Sequence, residues 1–306
     1  MIVRPIQALE ISLFAERAAG PDRGFAPEDA AEFMEWLDAR WLDGTSAPAL
    51  CFVAESENAT LASLVFWRHA DMAHVEHLRG SDEVCGELLK AAIPSVRSHG
   101  IRRVWAEAVT PPTPEERADA MGRICAAADL RANPPGVRIQ IHAEAVTDDF
   151  ATDLALRTFE EAGRGAFIDA MARCTTETLD PEIARNVAEL GPRGDAEQRI
   201  DRLLDLDGER AWWQLAYSPD GDLAGMVLPS HAGGYVIGFV GVVPNWRGRG
   251  VARQLVQCAT ATLLASGAHR VRADASSTNK PMLRAFERAG FRPFATRHVW
   301  ERTLPS

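Results

Sequence analysis

Tyrosine is almost absent from this chain of 306 residues: Tyr217 and Tyr235 are the only two. An aromatic hydroxyl used in chemistry therefore has two possible sources. Cysteine is also sparse. Cys51, Cys85, Cys125, Cys174 and Cys258 are odd in number, widely scattered and without a Cys-x-x-Cys pair, which argues against a disulfide framework. Cys85 and Cys258 fall in helical patterns among Leu and Ala, where a small buried thiol is the expected role. No apolar run approaches the roughly 18 residues of a membrane span. The N-terminal Met-Ile-Val-Arg-Pro-Ile lacks a signal-peptide pattern. The expectation is a cytoplasmic protein with no membrane partner.

Basic residues are in deficit, 33 Lys and Arg against 43 Asp and Glu for a net charge of −10, which disfavours nucleic acid as a partner. Metal is not expected either, because the period of a strand sends His74 and His77 to opposite faces. The most local absence is of acids. From Leu223 through Ala273 there is no Asp or Glu, while Arg247, Arg249, Arg253, Arg270 and Arg272 fall inside that stretch. Buried strands and an apolar helix would account for missing acids but not for the arginines; a polyanionic small ligand accounts for both.

Within that stretch, residues 240 to 252 read Val-Gly-Val-Val-Pro-Asn-Trp-Arg-Gly-Arg-Gly-Val-Ala. An apolar strand runs through a proline into a glycine-rich turn that opens a helix. Backbone N–H groups of such a turn converge on an anion, and the helix N-terminus adds partial positive charge. A second strand ending at Asp274 follows, then Asn279, Phe286 and Gly290-Phe291.

Together these residues resemble the GCN5-related N-acetyltransferase (GNAT) family, whose acyl-CoA loop reads Gln/Arg-x-x-Gly-x-Gly/Ala. Arg247, Gly250 and Ala252 stand at its fixed places, with Gly248, Arg249 and Val251 between them. The resemblance is specific over roughly residues 205 to 302. It implies acetyl-CoA as co-substrate, Asn279 near the pantetheine arm, and Phe286 near the thioester sulfur where the family usually has tyrosine. It further implies a bulged strand before the loop that turns an N–H toward the thioester oxygen, with Val240, Gly241 and Val242 as candidates. The implied reaction is direct attack by an amine of a small molecule.

An ammonium with a pKa of about 10.4 must first lose a proton. Many family members use a glutamate on the strand before the loop, and this chain has no acid there. Asp274 is the first candidate, with pairing to a neighbouring arginine as its alternative role; His231 is the second. Ser277, Ser276 or a water would return a proton to the leaving thiolate. Trp212 and Trp213, with Asp205, Asp207 and Glu209 before them, lie where the family builds the acceptor pocket; one core and one surface tryptophan is the other reading. Without tyrosine and strand glutamate, the alternative function is acyl-CoA binding or sensing without chemistry.

An internal repeat organises the rest. A shift of 167 residues lays Val84 on Val251, Leu88 on Leu255, Ala92 on Ala259, Gly100 on Gly267, Val104 on Val271 and Glu107 on Asp274. The expected fold is α/β (α+β in some schemes): two tandem GNAT-like domains, each a mixed, mostly antiparallel sheet with flanking helices and a central parallel strand pair. The first copy places Gly80, Ser81, Asp82 and Glu83 where the second has Arg247 to Gly250, so it should repel a diphosphate. The boundary is expected near Thr147-Asp-Asp149, giving a degenerate domain over 1–146, with 137–146 as its last strand, and a catalytic domain over 147–306. One competent copy after one degenerate one is a layout similar to that of the mycothiol synthases.

Overall fold

Apolar residues at a period of two build the strands, and apolar stripes at helical spacing build the helices that cover them. The computed structural model describes residues 1–20, 27, 29–57, 59–111, 116–146, 152–205 and 208–305. The chain divides into two units, one of Met1–Asn133 with Arg297–Ser306 and one of Pro134–Thr296.

The first unit contains β1 (Ile2–Pro5), α1 (Ile11–Ala18), α2 (Ala30–Leu42), β2 (Cys51–Ser56), β3 (Ala59–His69), β4 (Met72–Arg79), α3 (Asp82–Arg97), β5 (Arg103–Thr110), α4 (Glu116–Ala127) and β6 (Arg131–Ala132). Strands β1 to β4 form an antiparallel meander. Helix α3 then crosses over to β5, which lies parallel to β4. Phe52, Leu64, Phe66, Leu88, Leu89 and Val104 fill the core beneath α3.

The second unit contains β7 (Gly136–His142), β8 (Ala155–Thr158), α5 (Phe159–Cys174), α6 (Pro181–Leu204), β9 (Gln214–Tyr217), β10 (Leu223–His231), β11 (Tyr235–Val242), α7 (Val251–Ala265), β12 (Arg270–Ser276), α8 (Lys280–Arg288) and the start of β13 (Arg292–Thr303). Its strand order is β7-β12-β11-β10-β9-β8. One face packs on α7 through Val227, Ile237, Leu255 and Val271. The other packs on α5 and α6 through Phe167, Ile200, Leu215 and Met226. Each fully buried side chain of this size contributes roughly 1.5–3 kcal/mol. Thr158 opens α5 in a capping box with Glu161, and Asp180 caps α6 ahead of Pro181. Both helices break at a glycine, Gly163 (φ 76°, ψ 160°) and Gly191 (φ 74°, ψ 162°), in a conformation open essentially to glycine alone.

The two compact units do not divide where the sequence places the boundary. Residues 147–149 lie outside the described residues, and the units divide instead after Asn133 and after Thr296. Strand β7, expected to end the first copy, runs antiparallel to β12 from Arg270↔His142 to Ser276↔Gly136. The later part of β13 returns to the first unit, where Trp300 and Glu301 pair with Ala132 and Arg131. The alternation of Val137, Ile139 and Ile141 fixes which side of β7 is buried but is the same whichever sheet receives it. Sequence period therefore identified the strand and misassigned its sheet.

Among the described residues no helix is long and apolar enough to cross a membrane, and no group of His, Cys, Asp or Glu could hold a metal ion.

Candidate functional site

Strand β11 leaves the sheet at Val243, passes a short 3-10 turn (Pro244–Trp246) and enters α7 through Arg247, Gly248, Arg249 and Gly250. Gly248 (φ 77°) and Gly250 (φ 83°) are both left-handed. A Cβ at either would meet nothing within 4 Å, so backbone conformation and not crowding requires glycine there, and the space beyond is open. The N–H of Arg247 donates to Pro244 O at 3.2 Å, and the next to find a backbone acceptor is Gln254, on Gly250 O at 3.2 Å. Between them, the N–H groups of Gly248, Arg249, Gly250, Val251, Ala252 and Arg253 donate to no other described residue. Helix α7 has neither a side-chain cap nor an acid in its first turn. These are the features of an anion site at a helix N-terminus.

The repeat-equivalent end of α3 is built oppositely. Ser81 accepts from Val84 N at 3.4 Å, Asp82 and Glu83 occupy the first turn, and Arg123 pairs with Asp82 at 2.6 Å.

The arginines of the acid-free stretch divide by position. Arg247 turns inward: Nε donates to Val242 O (3.2 Å), Nη1 to Glu177 O (3.2 Å), and Nη2 to Cys174 O (3.1 Å) and Thr176 O (2.6 Å). Arg249 lies 4.8 Å over the Trp246 ring, and Arg253 is exposed on the first turn of α7. Arg270 and Arg272 lie at the other end of the strands, since Arg272 pairs with Val236. At about 3.3 Å per residue, Val236 is roughly 20 Å from Val242 and the turn after it. A polyanion at the turn therefore explains Arg249 and Arg253 but not Arg270 and Arg272.

Strands β11 and β12 part as soon as they meet. Their parallel pairing is Val236↔Arg272, whereas β12 and β7 stay paired along all of β12. Val243 N donates to Ala224 O at 3.1 Å, so by alternation Gly241 and Phe239 bond toward β10, while Val240 and Val242 present N–H and C=O to the open side. Of the expected thioester donors, Val240 and Val242 face the opening and Gly241 does not. Gly241 has a different reason to be glycine, because a Cβ would come 2.7 Å from Cys174 Cβ.

The expected bulge lies earlier. Leu228 pairs with Phe239 and Pro229 with Ile237, which leaves Gly238 unmatched. Pro229 has no N–H for the ladder, and its carbonyl is taken by Trp213 Nε1 at 3.0 Å, so the register slips there. The strand nevertheless continues to His231.

Several expected residues are engaged elsewhere. Asp274 pairs with Arg138 Nε at 3.1 Å across β12 and β7. Phe286 is 2% exposed and meets Phe291 edge-on at 5.1 Å, which makes it a core residue. Asn279 caps α8, accepting from Met282 N at 3.2 Å, with its amide N–H groups in no described hydrogen bond. The N–H of Ser277 donates to Pro135 O at 2.8 Å, and its hydroxyl remains half-buried just past β12. His231 packs edge-on against Tyr235 at 5.1 Å, at the end of the β10–β11 hairpin remote from the turn. The Tyr235 hydroxyl donates to Ser266 O at 2.8 Å, and Tyr217 lies under Arg157. Trp213 is buried with Phe159 and Phe167, whereas Trp212 lies beside Tyr235 on the other face of the sheet. Asp207 is outside the described residues. Burial pushes the thiols of Cys51, Cys125 and Cys174 up to about 12, which suits packing and not nucleophilic attack.

Sequence reasoning missed the segment between α5 and α6. Its Thr-Thr-Glu-Thr run ahead of Asp180-Pro181 announces a helix end and a new cap, but nothing in it announces Arg247 as a partner.

Residues 176–291 match the model of the Acetyltransferase (GNAT) family. No curated protein is similar to the chain. Among solved structures, a GCN5-related N-acetyltransferase from Sphaerobacter thermophilus is similar over 100% of this chain and 96% of its own, with TM-score 0.59 and 16% identity. A tandem GNAT protein from the clavulanic acid biosynthesis pathway is similar over 100% and 99%, with TM-score 0.51 and 18% identity. A fungal glucosamine N-acetyltransferase region is similar over 88% of this chain and 36% of its own, with TM-score 0.54 and 13% identity. Residues 176–291 thus match the GNAT family, and the chain as a whole shares its fold with GNAT proteins, a tandem one among them.

Proposed function

We propose that the second unit binds acetyl-CoA and transfers its acetyl group to an amine of a small molecule, in a ternary complex and without metal. The observation that carries this reading is the run of N–H groups from Gly248 to Arg253, opened by two left-handed glycines at the mouth of two parting strands. A diphosphate takes those N–H groups, with Arg249 and Arg253 beside it. The pantetheine arm passes between β11 and β12 near the side-chain amide of Asn279. Val242 or Val240 then donates its N–H to the thioester carbonyl. The ammonium gives one proton to water, the free amine attacks that carbon and the C–S bond breaks; the thiolate takes a proton from Ser277 or water, and the nitrogen's second proton replaces it through water. Two proteins of similar fold support the donor and the acceptor class: the tandem GNAT protein is known in a form without AcCoA, and the fungal region is a glucosamine N-acetyltransferase. The first unit, with Asp82 and Glu83 in the corresponding place, binds no CoA. A cytoplasmic setting agrees with cysteines that form no disulfide among the described residues.

A second reading, acyl-CoA binding without transfer, is favoured by the pairing of Asp274 and the burial of Phe286. Thiol release from acetyl-CoA, followed with and without a panel of small amines, tests the two. Amine-dependent release supports transfer. Tight CoA binding with no release supports binding alone.

A further inference from the structure

Arg247 stands between two helix ends, the C-terminus of α5 and, four residues on, the N-terminus of α7. Its contacts with Val242, Cys174, Thr176 and Glu177 occupy all but one of the N–H donors of a guanidinium. One of those acceptors, Cys174 O, is a last-turn carbonyl of α5, and two, Thr176 O and Glu177 O, lie in the turn that follows the helix. The side chain at the family's fixed basic position is therefore committed to backbone carbonyls.

The chain it holds, residues 175–180, runs between the two parting strands. On one side it is tied to Arg247, just after β11. On the other, Thr278 Oγ1, just after β12, donates to Leu179 O at 3.1 Å. Thr175 and Thr176 bond back to Met171 O (3.0 Å) and Ala172 O (3.2 Å), and Asp180 is fixed as the cap of α6. Between them Glu177 has φ 51°, a left-handed conformation that a glutamate keeps only when its surroundings hold it. The segment is a strap across the carboxyl ends of β11 and β12.

We propose that Arg247 is a positioning residue and not a phosphate ligand: it links the donor turn to this strap, so that CoA bound at Gly248 to Arg253 orders residues 175–180 and prepares the acceptor side. The proposal rests on the reading of the second unit as the donor site. An anion that fixes the turn also fixes the arginine within it, and by linkage an ordered strap strengthens donor binding.

Hydrogen exchange of the full-length protein with and without CoA, alongside calorimetric titration, tests this. In the wild type CoA slows exchange in residues 247–253 and also in 175–180. In Arg247→Ala, CoA still binds within about threefold of the wild-type affinity, while the strap exchanges about tenfold faster or more and no longer responds to CoA. The proposal is overturned if Arg247→Ala loses more than about tenfold in affinity with strap exchange unchanged, the signature of a phosphate ligand. It is equally overturned if CoA protects the turn but not the strap in the wild type. Thr278→Val, which cuts the other tie, is the second variant should Arg247→Ala not fold: it must weaken CoA-dependent protection of the strap, and unaltered protection counts against the link. Failure of the wild type to bind CoA would remove the donor reading itself; strap exchange in ligand-free Arg247→Ala would then decide the clamp separately, with wild-type rates overturning it.

Discussion

Asp274 meets Arg138 at 3.1 Å across two strands, and one repeat earlier Glu107 meets Arg297 at 2.7 Å in the same way. The shift of 167 that relates Asp274 to Glu107 also relates the helix ends of α7 and α3, of which only the second has a side-chain cap and acids in its first turn. An acid–arginine pair that recurs in the unit lacking the site belongs to the scaffold. Asp274→Asn is therefore expected to lower stability by less than about 1 kcal/mol, as for other partly exposed ion pairs. Amine-dependent thiol release should fall no more than about threefold. A loss beyond about a hundredfold, with CoA affinity intact, would make Asp274 the base after all.

Gly250 and Glu83 oppose each other as the open and closed forms of one helix start. Gly250→Asp puts a carboxylate among the free N–H groups and forces a residue with a side chain to φ 83°. CoA affinity in a calorimetric titration should fall by more than about a hundredfold, since a like charge and a strained backbone act together. Glu83→Gly should leave CoA affinity unchanged and cost the fold about 0.3–1 kcal/mol of helix-dipole stabilisation. Equal loss of affinity in both variants would place the donor elsewhere.

Trp213 holds the bulge by donating to Pro229 O at 3.0 Å from within the α5–α6 core. Trp213→Phe keeps a ring between Phe159 and Phe167 but leaves that buried carbonyl without a donor. The expected cost is about 1–3 kcal/mol in denaturant unfolding, beyond the change in packing. Trp212→Phe, on the half-buried partner, should cost less than about 1 kcal/mol.

The glycine-rich turn before α7 is legible in the sequence because glycine, proline and arginine leave marks that do not depend on tertiary context: Gly248 and Gly250 are needed for φ, and the clearing of acids from 223–273 is visible in composition. The strand and helix order of the second unit was legible for the same reason, since Gly267 and Gly290 end helices and 232–234 closes a hairpin. What was not legible depends on partners far apart in the chain. Arg247 reaches back to Cys174, Asp274 to Arg138, and β7 joins β12; none of these pairings changes a local pattern. The bulge lies earlier than the resemblance implied, because the missing N–H of Pro229 shifts the register there while the strand continues to His231.

Cys51, Cys125 and Cys174 carry the clearest pH dependence in the fold. Burial raises each from 9.0 to about 12, so above pH 9 the unfolded chain releases protons that the native state retains. Their contribution is fully present below about pH 9 and is lost as pH rises toward 12, with stability falling by at most about 1.4 kcal/mol per pH unit for each thiol. Chemical denaturation should therefore give a flat stability from about pH 7 to 8.5 and a steepening loss above about 9. Cys174→Ala should make that alkaline slope shallower while also lowering stability at neutral pH, because the thiol packs at 6% exposure beside Gly241. An alkaline slope unchanged by Cys174→Ala would mean that the thiol titrates alike in the folded and unfolded chain.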